Sequence, residues 1–307
     1  MKTAFLKSLF TTAALTALVA CGETADPGSR VTSLRVIAQS MDLPYAAPGE
    51  SVQVQSLVHD PDGRPMNWAS ATCLNPSSAD VPGCIQKIAE SGTPLLAMGE
   101  GLDTIGVTVP EDALSSLPVE ARSSATLGVL SVTCPGALDL DTSSTGLPFR
   151  CTESNSGREL GLDEFVVGVK RVTVRSSDRN NNPTIARITF DGAEWAEDHV
   201  PTVRACPEGG NDFLGCAEAL QHRVAAEVAP ESFERGSTEF GEAFEEQLVV
   251  QYFASEGIFE SDSRIAENPT DKWVPRKQAA GTDVTFWLVV RDNRGGVTWA
   301  TRRAHVE

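Results

Sequence analysis

Seven cysteines, at positions 21, 73, 84, 134, 151, 206 and 216, are the residues of this 307-residue chain best equipped for chemistry. Thiols serve as metal ligands, redox centres or disulfides. Zinc sites usually carry C-x2-4-C pairs. Here the later cysteines fall into neighbours 11, 17 and 10 positions apart, with no C-x-x-C and no histidine at ligand spacing. The four histidines, His59, His199, His222 and His305, are scattered and read as polar or hydrogen-bonding residues. No G-x-S-x-G nucleophile elbow, H-E-x-x-H pair or G-x-x-x-x-G-K-[ST] phosphate loop occurs. Glu242, Glu245 and Glu246 read as a solvated acidic face. A glycosidase needs two carboxylates across a cleft, which spacing alone does not supply. The expectation is a chain without catalytic machinery, with a carboxylate-based hydrolase as the alternative.

The first of those cysteines has its own context. Lys2 and Lys7 precede an apolar stretch from Leu9 to Ala20, the layout of a secretory signal peptide and too short to span a bilayer. It ends Leu18-Val19-Ala20-Cys21-Gly22. This resembles the lipobox of bacterial lipoproteins, in which the Cys is acylated and becomes the mature N-terminus. The resemblance implies residues 1–20 as signal peptide, Cys21 as the lipidated residue and 21–30 as a polar tether. Gly22, rather than Asp, is similar to lipoproteins sorted to the outer membrane, leaving the periplasmic or surface face undetermined. One acyl chain binds marginally and two or three hold firmly.

Charge agrees with anchoring by lipid alone. The chain carries 25 Lys+Arg against 42 Asp+Glu, a net charge of −17. Residues 1–20 contain two Lys and no acid, so processing takes this to about −19. Such a balance excludes a nucleic-acid binder, whose affinity comes from cations on phosphates.

With Cys21 assigned to lipid, six cysteines remain, and an even number in an exported chain reads as three disulfides. A domain boundary near residue 180 pairs Cys206 with Cys216 and leaves three arrangements for the other four. The polar, Gly/Pro/Ser-containing segments between neighbours favour Cys73–Cys84 and Cys134–Cys151.

The elements that must position these residues are mostly strands. Ser51–Val58 alternates Val52, Val54 and Val58 with polar residues, as a half-buried strand does. Ile105–Val109, Ala125–Thr133, Phe165–Val174, Thr184–Phe190, Leu248–Ala254, Asp283–Arg291 and Val297–Val306 have the same character. Helical signal is confined to a turn over Pro110–Leu117, and Ala217–Val228 is ambiguous between helix and strand. This is an all-β pattern of two tandem sandwiches, over 31–176 and 184–307, joined by a polar linker at 177–183.

Two stretches resemble polycystic-kidney-disease (PKD) or bacterial immunoglobulin-like domains. One is Val58-His59-Asp60-Pro61-Asp62-Gly63-Arg64-Pro65-Met66-Asn67-Trp68, a D-P-D-G turn before a strand with a core Trp. The other is Val284 to Val306, like the closing hairpin, reversing at Asp292-Asn293-Arg294-Gly295-Gly296. The resemblance implies adhesion or scaffolding toward an envelope protein or a glycan. The linker Asp178-Arg179-Asn180-Asn181-Asn182-Pro183 further resembles the cadherin inter-domain motif, with Asn181 where that family has Asp. That implies calcium between the sandwiches, with Asp178, Asn180 and Asn182 as ligands; no other cofactor is implied. Trp68 and Trp287 lie in strand-like runs and read as core, Trp299 fits either face, and Trp195 and Trp273 sit in polar stretches as candidates for stacking a glycan.

Overall fold

The computed structural model describes residues 27–76, 78, 80–91, 97–101, 104–140, 149–207, 213, 215–237 and 242–307. The expected signal peptide, Cys21 and the tether as far as residue 26 lie outside the described residues. The first half contains β1 (Arg35–Met41), β2 (Tyr45–Ala46), β3 (Ser51–His59), β4 (Asn67–Leu74), α1 (Val81–Ser91), β5 (Ala97–Glu100), β6 (Ile105–Thr108), β7 (Ala125–Cys134), β8 (Ala137–Leu140), β9 (Phe149–Thr152) and β10 (Val166–Val174). In the second half the order runs β11 (Ile185–Phe190), β12 (Ala193–Glu194), β13 (Thr202–Val203), β14 (His222–Val228), β15 (Arg235–Ser237) and β16 (Ala243–Glu245). It continues with β17 (Val249–Ala254), β18 (Ile258–Phe259), β19 (Ser263–Ile265), β20 (Asp271–Val274), β21 (Thr282–Arg291) and β22 (Val297–Val306).

The fold is all-β. In the first half, sheet β1-β3-β6 faces sheet β2-β10-β7-β4-β5. Their shared core takes Val52 and Val54 from β3, Ile105 and Val107 from β6, Leu127 and Val129 from β7, and Val172 and Val174 from β10. The alternation in β3 does this directly, since its valines point inward while Ser51, Gln53 and Gln55 stay exposed. In the second half, sheet β12-β11-β14-β20-β18 faces sheet β13-β22-β21-β17-β19 over a core that includes Trp195, Tyr252, Trp273, Phe286 and Leu288. The D-P-D-G turn carries the chain from β3 in one sheet to β4 in the other. Asp60 holds it by accepting from the Arg64 backbone N–H at 2.9 Å and pairing with the Arg64 guanidinium at 2.7 Å.

β7 is buried on both faces. Leu127 and Val129 enter the sandwich core, while Leu130, Val132 and Cys134 meet a second cluster that includes Cys84 and is flanked by Ile85 and Ile88 of α1. Sequence reading missed α1, because Pro82 and Gly83 near its start look like a loop. Pro is tolerated in a first turn, and the Asp80 carboxylate caps this one by accepting from the Gly83 N–H at 2.9 Å. Two other local expectations change. Residues 111–117 form turns without a helix, and the ambiguous 217–228 segment resolves into a short 3-10 turn at Glu218–Leu220 followed by β14.

The tether also ends earlier than expected. Ser29 is buried, its carbonyl accepts from the Ala254 N–H, and the Val31 N–H donates to the Ala254 carbonyl, both at 2.9 Å. Residues 29–31 thus form a strap on β17 of the second half before the chain crosses to β1.

Candidate functional site

The densest convergence of named groups lies where the two halves meet. β21 reads Phe286-Trp287-Leu288-Val289-Val290, apolar without alternation, as a strand covered on both faces does. Phe286, Leu288 and Val290 fill the second sandwich, while Trp287 and Val289 point out of it. There they join Phe253 of β17, Val297 of β22, Val31 of the strap, and Ile37 and Ala38 of β1, with Leu57 and Trp299 alongside. His59 lays its ring 4.6 Å from that of Trp287. Burial lowers the His59 pKa, against the raising effect of Asp60. The halves therefore share a third apolar core.

A polar bracket surrounds it. The Asn180 amide donates to Asp292 Oδ2 at 2.9 Å, and Asn182 donates to the Met41 carbonyl while accepting from the Val297 N–H at 2.9 Å. Ser40 donates to the Val297 carbonyl, Arg291 to the Ile37 carbonyl at 3.0 Å, and Lys170 Nζ to the Gly295 carbonyl at 3.1 Å. Asp292 Oδ1 ties the hairpin by accepting from the Arg294 and Gly296 N–H groups at 2.7 and 2.8 Å. Gly296 is required here. A Cβ would stand 2.1 Å from Asp292 Oδ2 and 2.9 Å from the Asn181 carbonyl.

Arg294 is the centre of the bracket. Its guanidinium lies 4.9 Å from the Tyr45 ring and 4.7 Å from the Phe244 ring, and it pairs with Glu234 at 3.1 Å and Glu246 at 2.9 Å. Burial, together with neighbouring Asp292, raises the Glu246 pKa. Burial, reinforced by Arg291, brings Lys170 down to about 8. Chemically the arrangement is a clamp: each charge faces a partner from another segment.

The sequence-based candidates are placed as follows. The disulfides are Cys73–Cys84, Cys134–Cys151 and Cys206–Cys216. Trp195 and Trp273 are a correction. They are 1% and 0% exposed, they pack edge-on against Phe286, and their indole N–H groups donate to the carbonyls of His199 and Glu256. No face is left for a sugar. Glu246 corrects the solvated acidic face, since it is buried against Arg294. Of the linker residues, the Asp178 carboxylate is exposed beside Arg175, and the Asn180 and Asn182 side chains are engaged in the bracket. Among the described residues no three His, Cys, Asp or Glu group as metal ligands. Histidines 222 and 305 each contact an aspartate, Asp191 and Asp283, at 2.7 Å.

A second feature is an open seam in the second sandwich. It is a groove of about 640 Å³ between β11 and β22, with Ile185, Ile188, Trp195 and Ala300 among its apolar lining and Arg187, Glu194, Glu197 and Arg302 among its polar lining. No residue pattern announces it, because it depends on how short β12 and β13 are.

No family model and no curated protein matches the sequence. A red sea bream transglutaminase structure aligns over 91% of this chain at 8% identity and TM-score 0.23. A structure of dimeric latent PorU from Porphyromonas gingivalis aligns over 90% at 10% identity and TM-score 0.22. This chain spans 32% and 24% of those two chains.

Proposed function

We propose that the chain is a non-catalytic bacterial envelope lipoprotein: two immunoglobulin/PKD-like sandwiches, acylated at Cys21, that bind or scaffold a partner. Three disulfides suit an oxidising, extracytoplasmic compartment. The observation that carries the reading is the strap at 29–31, stitched to β17 and leading into the shared core. It brings the tether to the junction, so that one lipidated Cys would hold both sandwiches together. From Cys21 to Pro27 is six residues, a reach of at most about 20 Å. The outer membrane is the proposed location, because Gly22 follows the Cys. With Trp195 and Trp273 in the core, a protein partner is favoured over a glycan. Calcium, if it binds the linker at Asp178, Asn180 and Asn182, would have to displace the bracket's own hydrogen bonds.

Palmitate labelling and membrane fractionation of cells expressing wild type or Cys21→Ala test the anchor. The expected result is labelled, membrane-bound wild type and an unlabelled variant released from the membrane. An unlabelled wild type would refute it.

A further inference from the structure

The outer edge of β22 is used by the chain at both ends and left open in the middle. Even-numbered residues of this strand bond to β21, as the Gly281 N–H to Val306 carbonyl and Asp292 N–H to Gly296 carbonyl bonds show. Odd-numbered ones therefore point their N–H and carbonyl groups away from β21. At one end Val297 is met by Asn182 and Ser40. At the other, the His305 N–H donates to the Pro201 carbonyl and the Glu307 N–H to the Val203 carbonyl, where β13 lies alongside. Between them Trp299, Thr301 and Arg303 face no strand among the described residues; the Thr301 carbonyl accepts only from its neighbour Arg302. Opposite stands β11, met by β12 at Thr189 and Phe190 and by the Trp195 N–H at the Ile188 carbonyl. The groove between these two edges is the open seam.

We propose that this gap is a docking slot for a short extended segment of a partner protein, which adds as a strand to β22. The open edge continues directly from the junction, where linker and first-half residues already bond Val297, and ends at β13, which already pairs in the same way. The slot thus extends an interface that the molecule forms with its own chain. Its length, from Trp299 to Arg303, suits about five residues. Main-chain hydrogen bonds would supply affinity, and side chains alternating at period two would supply selection. Inward positions meet the half-buried Ile185 and Ala300, with Ile188 and Trp195 sealed beneath them, so they take small apolar side chains. At the rim Arg187 pairs with Glu227 and the Arg302 guanidinium donates to the Trp195 and Thr301 carbonyls, with Glu194 and Glu197 beside them. Left unfilled, such an edge is also an aggregation template.

This inference deepens the proposed binding role and rests on it, but its test is independent of lipidation. Random heptapeptides displayed on phage are selected on the purified full chain, and the winners are synthesised with single N-methyl groups. The expected winners alternate apolar and polar residues, lose binding at least 10-fold when every second amide is N-methylated, and tolerate methylation at the others. They also protect the Thr301 and Arg303 amides from hydrogen exchange. Thr301→Pro removes the central donor at a position where the fold makes no use of it, and should abolish capture. No enriched peptide, loss of binding without period two, or protection elsewhere would overturn the slot. Failure of palmitate labelling would instead overturn the anchor and leave this result standing.

Discussion

Lys170 shows most plainly what the junction costs the chain. Its amine is held at about 8, below the usual 10.5, because burial and then Arg291 disfavour the charged form. A depressed pKa means that stability is lost as pH falls through the folded value and is fully present above the unfolded one. The urea midpoint should therefore rise between pH 8 and 10.5, and Lys170→Met should flatten that rise. His59 follows the same sign at lower pH, with stability lost on acidification below its usual 6.5. Asp271 is fully buried and paired with Arg264 at 2.7 Å. Arg264 keeps Glu260 at 2.7 Å, but Asp271→Ala removes the acceptor of the Ser261 and Lys272 N–H groups and should cost about 1–3 kcal/mol by urea denaturation.

At the scale of elements, the hairpin between β21 and β22 and the linker make one bracket, and β21 makes the weld. Trp287→Ala should cost about 3–5 kcal/mol. It should also split a single calorimetric transition into two, because it empties the core that the sandwiches share. Gly296→Ala should loosen the bracket in the same assay without touching either sandwich core. Strands covered on one face were legible: Ser51–Val58 alternates and is β3 almost residue for residue. The Asp292–Gly296 reversal was legible as a turn, and its seat on the linker was not. β21 shows its double burial as missing alternation, but a run of apolar residues does not say what covers its second face. Trp273 was misread for a related reason: in β20 the polar Lys272 reports the opposite face. Trp195 was misread because it follows β12 outside any strand, where a period of two says nothing. The slot on β22 left no trace, since it arises from the shortness of β12 and β13 across the chain.

For the whole molecule, the shared core, the bracket and the strap have one consequence. The two sandwiches behave as a single body, held where they meet. The central claim is that weld, and a distance between the halves tests it most directly. Spin labels at Glu120→Cys and Glu267→Cys, both exposed and on opposite halves, should give one narrow distance distribution by electron–electron double resonance. Adding Trp287→Ala should broaden it. A broad distribution in the otherwise unaltered chain would contradict the account, showing two sandwiches that swing on a free linker.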